Sequence, residues 1–369
     1  MMQAQDFLGE VLSAFDFGEG RVNARPFGCG HINDTFLVLS EQEDAATKKF
    51  VLQRLNAEAF KDPDGLMRNV IGISEFLCAE IRANGGNSNR EAMAFIRPRS
   101  GALYYKDSAG RAWRAYHFID SVRCYQSADT PELFAASGRA FGRFQRMLKE
   151  YPAETLFETI PRFHDTEDRL AKLKAAIEAD KMGRVAECEA EIAFALRREA
   201  DCSVAMQAVR EGRLPLRVTH NDTKLNNVLF DEESGEALCV IDLDTVMPGL
   251  SIFDFGDSIR FGANHCAEDE KDLSRMFLDL ELYEAYAAAF VEGAGGALTR
   301  PEIEYLPWGA KLMTLECGIR FLTDHLSGDT YFHISRPGQN LDRCRTQFKL
   351  VADMEARWDE MTAIAEKLK

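Results

Sequence analysis

The sequence predicts an α+β chain, with a small antiparallel sheet followed by a larger, mainly helical region. Short β-branched and aromatic runs, separated by turn residues, occupy roughly the first third. From about Thr130 apolar residues recur at helical spacing instead. With 369 residues the chain has room for two domains of roughly 150 residues each. The change of texture puts their boundary near Asp120, giving domains over 1–120 and 121–369.

The elements follow in order. Phe27-Gly28-Cys29-Gly30 is a turn, Thr35–Leu39 a strand, Glu41–Lys49 a hairpin loop and Phe50–Leu55 the returning strand. After Asp62-Pro63-Asp64-Gly65, the residues Leu66, Met67, Val70, Ile73 and Leu77 share one helical face. Ala92–Ile96 and Trp113–Ile119 read as further strands. In the second region Phe134, Gly138, Phe141, Phe144 and Leu148 line one helix. Thr166–Glu211 reads as a long, highly charged helical stretch, and Pro215–Thr219 as a short strand. Lys271–Val291 and Tyr305–Leu326 are helical again, and an amphipathic helix begins at about Leu341.

Composition excludes several classes. The formal charge of −16 argues against a nucleic-acid partner, because phosphate backbones are bound by basic surface. No apolar run approaches the roughly 18 residues that a membrane span needs. The first residues, Met1-Met2-Gln3-Ala4-Gln5-Asp6, lack a basic n-region and an apolar h-region, so a cytoplasmic protein is expected. Nine scattered cysteines form no CxxC pair and no zinc spacing, which fits reduced thiols.

The chemistry concentrates in His220-Asn221-Asp222-Thr223-Lys224-Leu225-Asn226-Asn227, then in Leu238-Cys239-Val240-Ile241 running into Asp242. A carboxylate on a polar loop, an amide five residues on and a carboxylate at a strand end are what phosphoryl transfer requires. Asp222 would accept the proton of an attacking hydroxyl. Asn227 and Asp242 would offer magnesium the hard oxygen ligands that it prefers. Alone, each also fits a turn or strand cap; their combination points to catalysis. Asp244, two residues on in an extended segment, shares a side with Asp242 as a second metal ligand or a substrate contact.

Other candidates cluster in the first third. Gly28 and Gly30 would let backbone amides approach phosphate oxygens, although a plain hairpin turn explains them too. His31 and Asn33, on the same loop, would reach phosphate or acceptor. Arg54 or Gln53 occupies the strand position where a kinase usually carries its phosphate-binding Lys. Adenine is expected near Tyr116–Asp120, with Tyr116 and Phe118 as contacts. Asp254, Asp257 and Arg260 read as a buried brace beneath the catalytic loop. Arg320 and Asp324, one helical turn apart, would pair or face the acceptor. No Walker-type GxxxxGK[ST] loop is present.

The pattern His220-x-Asp222-x4-Asn227 with Ile241-Asp242 resembles the aminoglycoside phosphotransferase and choline kinase superfamily. Longer blocks look like its N-acetylhexosamine 1-kinases: Gly30–Asn33, Ile160–Thr166, Pro215–Asn227, Ile241–Gly249, Phe253–Gly262, Arg320–Leu322 and Arg343-x-Arg345-x-Gln347. Together they span nearly the whole chain. The resemblance implies a protein-kinase-like bilobal fold, with a nucleotide-binding N-lobe over 1–120 and a catalytic, acceptor-binding C-lobe over 121–369. It implies ATP and Mg2+, with phosphate placed on the anomeric hydroxyl of N-acetylglucosamine or N-acetylgalactosamine. Asp222 would be the base, Asn227 and Asp242 the metal ligands, and His31, Asn33, Asp244 and Arg320 acceptor contacts. A kinase for a cationic acceptor such as choline or an aminoglycoside is the nearest alternative. A nucleotide-binding scaffold without catalysis is a further one.

Overall fold

The computed structural model describes residues 8–28, 33–41, 46–128 and 130–369. It divides into two compact units. The first comprises Met1–Arg123, Thr155–Thr159 and Leu229–Met247; the second comprises Cys124–Glu154, Ile160–Val228 and Pro248–Lys369. A single cut at Asp120 therefore does not describe the division, because two later segments return to the first unit.

The first unit starts with α1 (Leu8–Ala14), β1 (Arg21–Pro26), β2 (Asp34–Glu41) and β3 (Lys48–Arg54). Then come α2 (Pro63–Ala83), α3 (Ser88–Glu91), β4 (Phe95–Ile96), β5 (Tyr105–Lys106), β6 (Ala112–His117) and β7 (Val122–Arg123). The antiparallel sheet has the order β1-β2-β3-β6-β4, with β5 on β6. Alternation supplies its core: Phe36 and Val38, Phe50 and Leu52, Trp113 and Ala115 point one way and pack with Val11, Phe15 and Phe17. The expected strand over Ala92–Ile96 is reduced to its last two residues.

Helix α2 begins where Asp62 accepts the Gly65 amide at 3.0 Å, with Pro63 at its first turn. It buries the predicted face of Leu66, Met67, Val70, Ile73 and Leu77. Asn69 on this helix donates to the Val246 carbonyl at 3.0 Å and so anchors the returning segment.

In the second unit α4 (Pro131–Met147) buries Phe134, Gly138, Phe141 and Phe144. The stretch expected to be one helical block is broken into α5 (Thr166–Ala179), α6 (Glu189–Leu196), α7 (Glu199–Cys202) and α8 (Val204–Arg210). Asp180 ends α5 in the left-handed region (φ 33°), and Gly183 follows at φ 66°. The Asp180 amide makes the last helical bond, to the Ala176 carbonyl at 3.1 Å, and the Gly183 amide closes the following turn on the Asp180 carbonyl at 2.9 Å.

After β8 (Arg217–Thr219) the chain forms the hairpin β9 (Val228–Asp231) and β10 (Ala237–Val240). Strand β9 pairs with β7 at Asp231↔Val122 and Phe230↔Arg123. Then follow β11 (Met247–Gly249), α9 (Ser251–Gly262), α10 (Leu280–Ala294), α11 (Arg300–Glu304), α12 (Leu306–Ser327), α13 (Gln339–Ala356) and α14 (Trp358–Lys367). The helix expected over Lys271–Val291 starts only at Leu280, because Asp279 caps it by accepting the Glu281 and Leu282 amides. Two helices, not one, close the chain.

Helix α12 is the axis of this unit. It is buried along most of its length and packs on α5, α9 and α13. Among the described residues no helix is long and apolar enough to cross a membrane.

Candidate active site

The loop after β8 owes its shape to α9. Asp254, 1% exposed, accepts the backbone amides of His220 at 2.9 Å and Asn221 at 2.8 Å, and the Gln145 side-chain amide at 2.8 Å. One turn on, Asp257 accepts the Thr223 amide at 3.0 Å and pairs with Arg260 at 2.9 Å. Ser258 donates to the Thr223 carbonyl at 2.7 Å and receives the Tyr286 hydroxyl at 2.6 Å. The three-residue spacing of Asp254, Asp257 and Arg260 puts all of them on one helix face. The brace expected from the sequence is present.

Within this frame Asn221 adopts φ 64°, a conformation that Asn tolerates better than most residues. His164 lies 3.1 Å from the Asn221 carbonyl through Nε2 and 3.1 Å from Glu316 through Nδ1. The carbonyl can only accept, so Nε2 carries a proton toward it. His220 is fully buried, with its ring edge-on to Phe141 and Phe144.

The loop presents Asp222 with its carboxylate partly exposed. Its Oδ1 meets the Lys224 ammonium at 2.8 Å, and its Oδ2 accepts the Asn227 amide at 3.2 Å. The same Asn227 nitrogen donates to the Asp222 carbonyl at 2.8 Å. Both hydrogens of the amide are thus engaged, and its oxygen takes no hydrogen bond among the described residues. That oxygen is oriented and free, as a ligand for a hard cation must be. Burial alone would lower the Lys224 pKa, but the Asp222 and Asp257 carboxylates outweigh it and keep the ammonium charged. Lys224 was not singled out from the sequence as a partner of Asp222. Its two-residue offset from Asp222 was the available signal.

Residues 23–293 match the family model described as phosphotransferase enzyme family. The chain belongs to that family. The solved structures of several kinases share its fold. The microcompartment-associated aminopropanol kinase is 16% identical, with a TM-score of 0.58 over 97% of this chain and 98% of that one. An aminoglycoside phosphotransferase from Alicyclobacillus acidocaldarius is 12% identical, with a TM-score of 0.60 over 98% and 96%. The choline kinase from Cryptosporidium parvum is 11% identical, with a TM-score of 0.59 over 99% of each. The fold is therefore the mixed α+β architecture of kinase-like proteins, and the family is one of phosphotransferase enzymes.

In this phosphotransferase Asp242 and Asp244 belong to the first unit and behave differently. Asp242 is exposed at φ 63°, ahead of the 3-10 turn Leu243–Thr245. Asp244 is 3% exposed and is held by Arg114 at both oxygens and by Asn33 at 2.9 Å. The segment is a turn rather than the extended strand expected. Arg114 also donates to Gln53 at 2.8 Å, and Asn33 accepts the Asn56 amide at 3.0 Å. Asn33 and Asp244 are thereby tied into one partly buried network.

Arg54 pairs with Asp34, its cross-strand neighbour. Burial pushes the Tyr116 phenol well up, and its ring packs on Phe95. Phe118 takes the Lys49 ammonium over its face and the Phe27 ring at its edge. Gly28 lies on an open turn at φ 79°. Gly30 and His31 lie outside the described residues.

In the second unit Arg320 does not pair with Asp324. It turns to Glu316 at 3.7 Å and stacks near Phe163, Tyr331 and Phe332. Asp324 instead accepts the backbone amides of Thr330, Tyr331 and Phe332. Arg169, Lys172, Arg320 and Tyr331 line a cavity of about 250 Å³. A larger one, about 550 Å³, opens beside Arg260 and is lined by Gln126, Asn264, Glu268 and Gln347 among others.

Proposed function

We propose that the protein is an ATP-dependent kinase that phosphorylates the anomeric hydroxyl of an N-acetylhexosamine, N-acetylglucosamine or N-acetylgalactosamine. The observation that carries the reading is the Asp222–Asn227 pair, fixed from below by Asp254 and Asp257. It sets one carboxylate to receive a proton and one amide oxygen to receive a cation.

Asp222 orients the sugar hydroxyl and takes its proton late in transfer, when the attacking oxygen becomes acidic. Lys224 holds that carboxylate in place and adds positive charge where the transferred group gathers negative charge. Asn227 and Asp242 are the magnesium ligands in this reading, and their hard oxygen donors suit that ion. Magnesium, when bound, neutralises charge on the phosphate oxygens. Adenine lies near Tyr116 and Phe118. Arg320 serves the acceptor, whereas Asn33 and Asp244 hold the first unit's turn in shape.

The sugar assignment rests on the long sequence blocks that resemble N-acetylhexosamine 1-kinases. The amide-rich lining of the larger cavity supports it, since a neutral polar acceptor needs fixed donors and acceptors. The relatives named for aminopropanol, choline and aminoglycosides favour a second reading, a cationic acceptor. A phosphorylation screen over hexosamines, amino alcohols and aminoglycosides decides between them. A sugar 1-phosphate, located by phosphorus NMR, is the expected product. Transfer to the cationic acceptors alone would refute the sugar reading.

A further inference from the structure

Two imidazoles close on one peptide group, the one joining Asn221 to Asp222. His164 Nε2 lies 3.1 Å from its carbonyl oxygen, and His220 Nδ1 accepts its N–H at 3.3 Å. Turning this peptide about its flanking dihedrals would break both contacts. It follows directly on the left-handed Asn221, at φ 64°, a conformation that a residue other than glycine keeps only where its surroundings enforce it. The next side chain is the Asp222 carboxylate. His220 belongs to the loop and moves with it, whereas His164 stands just ahead of α5 and reaches the loop from outside.

Glu316 on α12 anchors that outside hold. It is 1% exposed, and its Oε1 lies 3.1 Å from His164 Nδ1. Its Oε2 is buried with no hydrogen-bond partner among the described residues. The guanidinium groups of Arg320 and Arg169 stand off at 3.7 and 3.9 Å, too far for hydrogen bonds. Among the described residues this carboxyl group therefore makes a single hydrogen bond, to His164. A buried group left so sparsely paired costs stability. What it contributes is the orientation of the ring. One hydrogen on Nε2 faces the Asn221 carbonyl, and a second lies between Nδ1 and Oε1. Wherever that second hydrogen resides, Nε2 stays aimed at the loop.

We propose that His164 is a positioning residue for phosphoryl transfer: held by Glu316, it fixes the Asn221 carbonyl and so aims the Asp222 carboxylate at the attacking hydroxyl. The assignment rests on the reading of Asp222 as the base, and not on which acceptor is used. Asp254 already holds the amides of His220 and Asn221, so the loop keeps its anchorage on α9 without His164. What His164 adds is the direction of the last peptide before the base.

The test compares His164→Asn with His164→Gln. The shorter amide stops near the place of Nδ1 and keeps only the bond to Glu316. The longer one reaches near the place of Nε2 and keeps a donor for the Asn221 carbonyl. With ATP and N-acetylglucosamine, His164→Asn should lower kcat about 10- to 100-fold with little change in either KM, the scale of a base misplaced by an ångström. His164→Gln should recover most of that loss. Hydrogen exchange of segment 217–227, followed by mass spectrometry, should quicken in His164→Asn and stay near the wild type in His164→Gln. A role confined to satisfying Glu316 predicts the reverse ranking, and that ranking, or equal kcat in all three proteins, would overturn the assignment. Should no form phosphorylate N-acetylglucosamine, the sugar reading falls by itself. Exchange in the loop then decides on His164, and identical exchange in the three proteins would remove its role.

Discussion

The Asn227 side-chain nitrogen donates both to the carbonyl of Asp222, at 2.8 Å, and to its carboxylate, at 3.2 Å. One amide therefore fixes where the Asp222 carboxylate sits and where its own free oxygen points. Asn227→Ala releases both. Its kcat should fall about 100-fold, the scale expected when a reacting group is misplaced by an ångström. The magnesium concentration for half-maximal rate should rise as well. A magnesium titration of initial rates checks this, and a wild-type curve would refute it.

Asp222→Asn keeps the size of the side chain and removes its basicity. Turnover should drop by about 10² to 10⁴, the usual contribution of a positioned base. Nucleotide affinity, measured by calorimetry, should stay close to that of the wild type, because the base acts mainly in the transition state. Near-normal phosphorylation by this variant would remove Asp222 from its role.

Lys224 sits 2.8 Å from the base. Lys224→Met should lower kcat about tenfold or more, because one positive charge beside the reacting centre is lost. Lys224→Arg should recover part of that loss by restoring the charge. Steady-state kinetics of both variants separate this role from a merely solvated lysine, which would leave kcat untouched.

Helices α4 and α10 cross where Gly138 and Gly142 leave no room for a side chain. A Cβ on Gly142 would overlap the Phe290 carbonyl, and one on Gly138 would lie 2.8 Å from that of Tyr286. Backbone atoms cannot step aside as a side chain can. Gly142→Ala should destabilise the second unit by about 2 kcal/mol, in the usual range for overpacking. Urea unfolding measures it, and an unchanged midpoint would contradict the close crossing.

At the end of β9, Asp231 accepts hydrogen bonds from the Ser234 backbone amide, the Arg90 guanidinium and the Ser234 hydroxyl, which hold its pKa down at about 2, from an ordinary value of 3.8. A depressed acid stabilises the fold above its unfolded pKa, and that contribution is lost as pH falls through the folded one. Asp231→Asn should therefore melt below the wild type at pH 7, with the gap closing between pH 3.8 and about 2. A constant gap across that range would dismiss the linkage.

The fold was legible wherever one periodicity persisted. The Leu66-to-Leu77 face and the Phe134-to-Phe144 face both reappear as buried helix stripes. Thr166–Glu211 is helical, as read, but in four pieces, because no single apolar stripe runs through it to hold one long helix together. Asp222 and Asn227 lie five residues apart, so the contact between them is local and within reach of the sequence. The Arg114–Asp244 pair joins residues 130 positions apart and left no local trace.

Asp254 gathers two consecutive amides of the catalytic loop onto a core helix. The loop's shape is consequently inherited from the interior and is in place before any nucleotide or acceptor arrives. Changes along the cavity rim can then alter what that space accommodates while the loop keeps its shape.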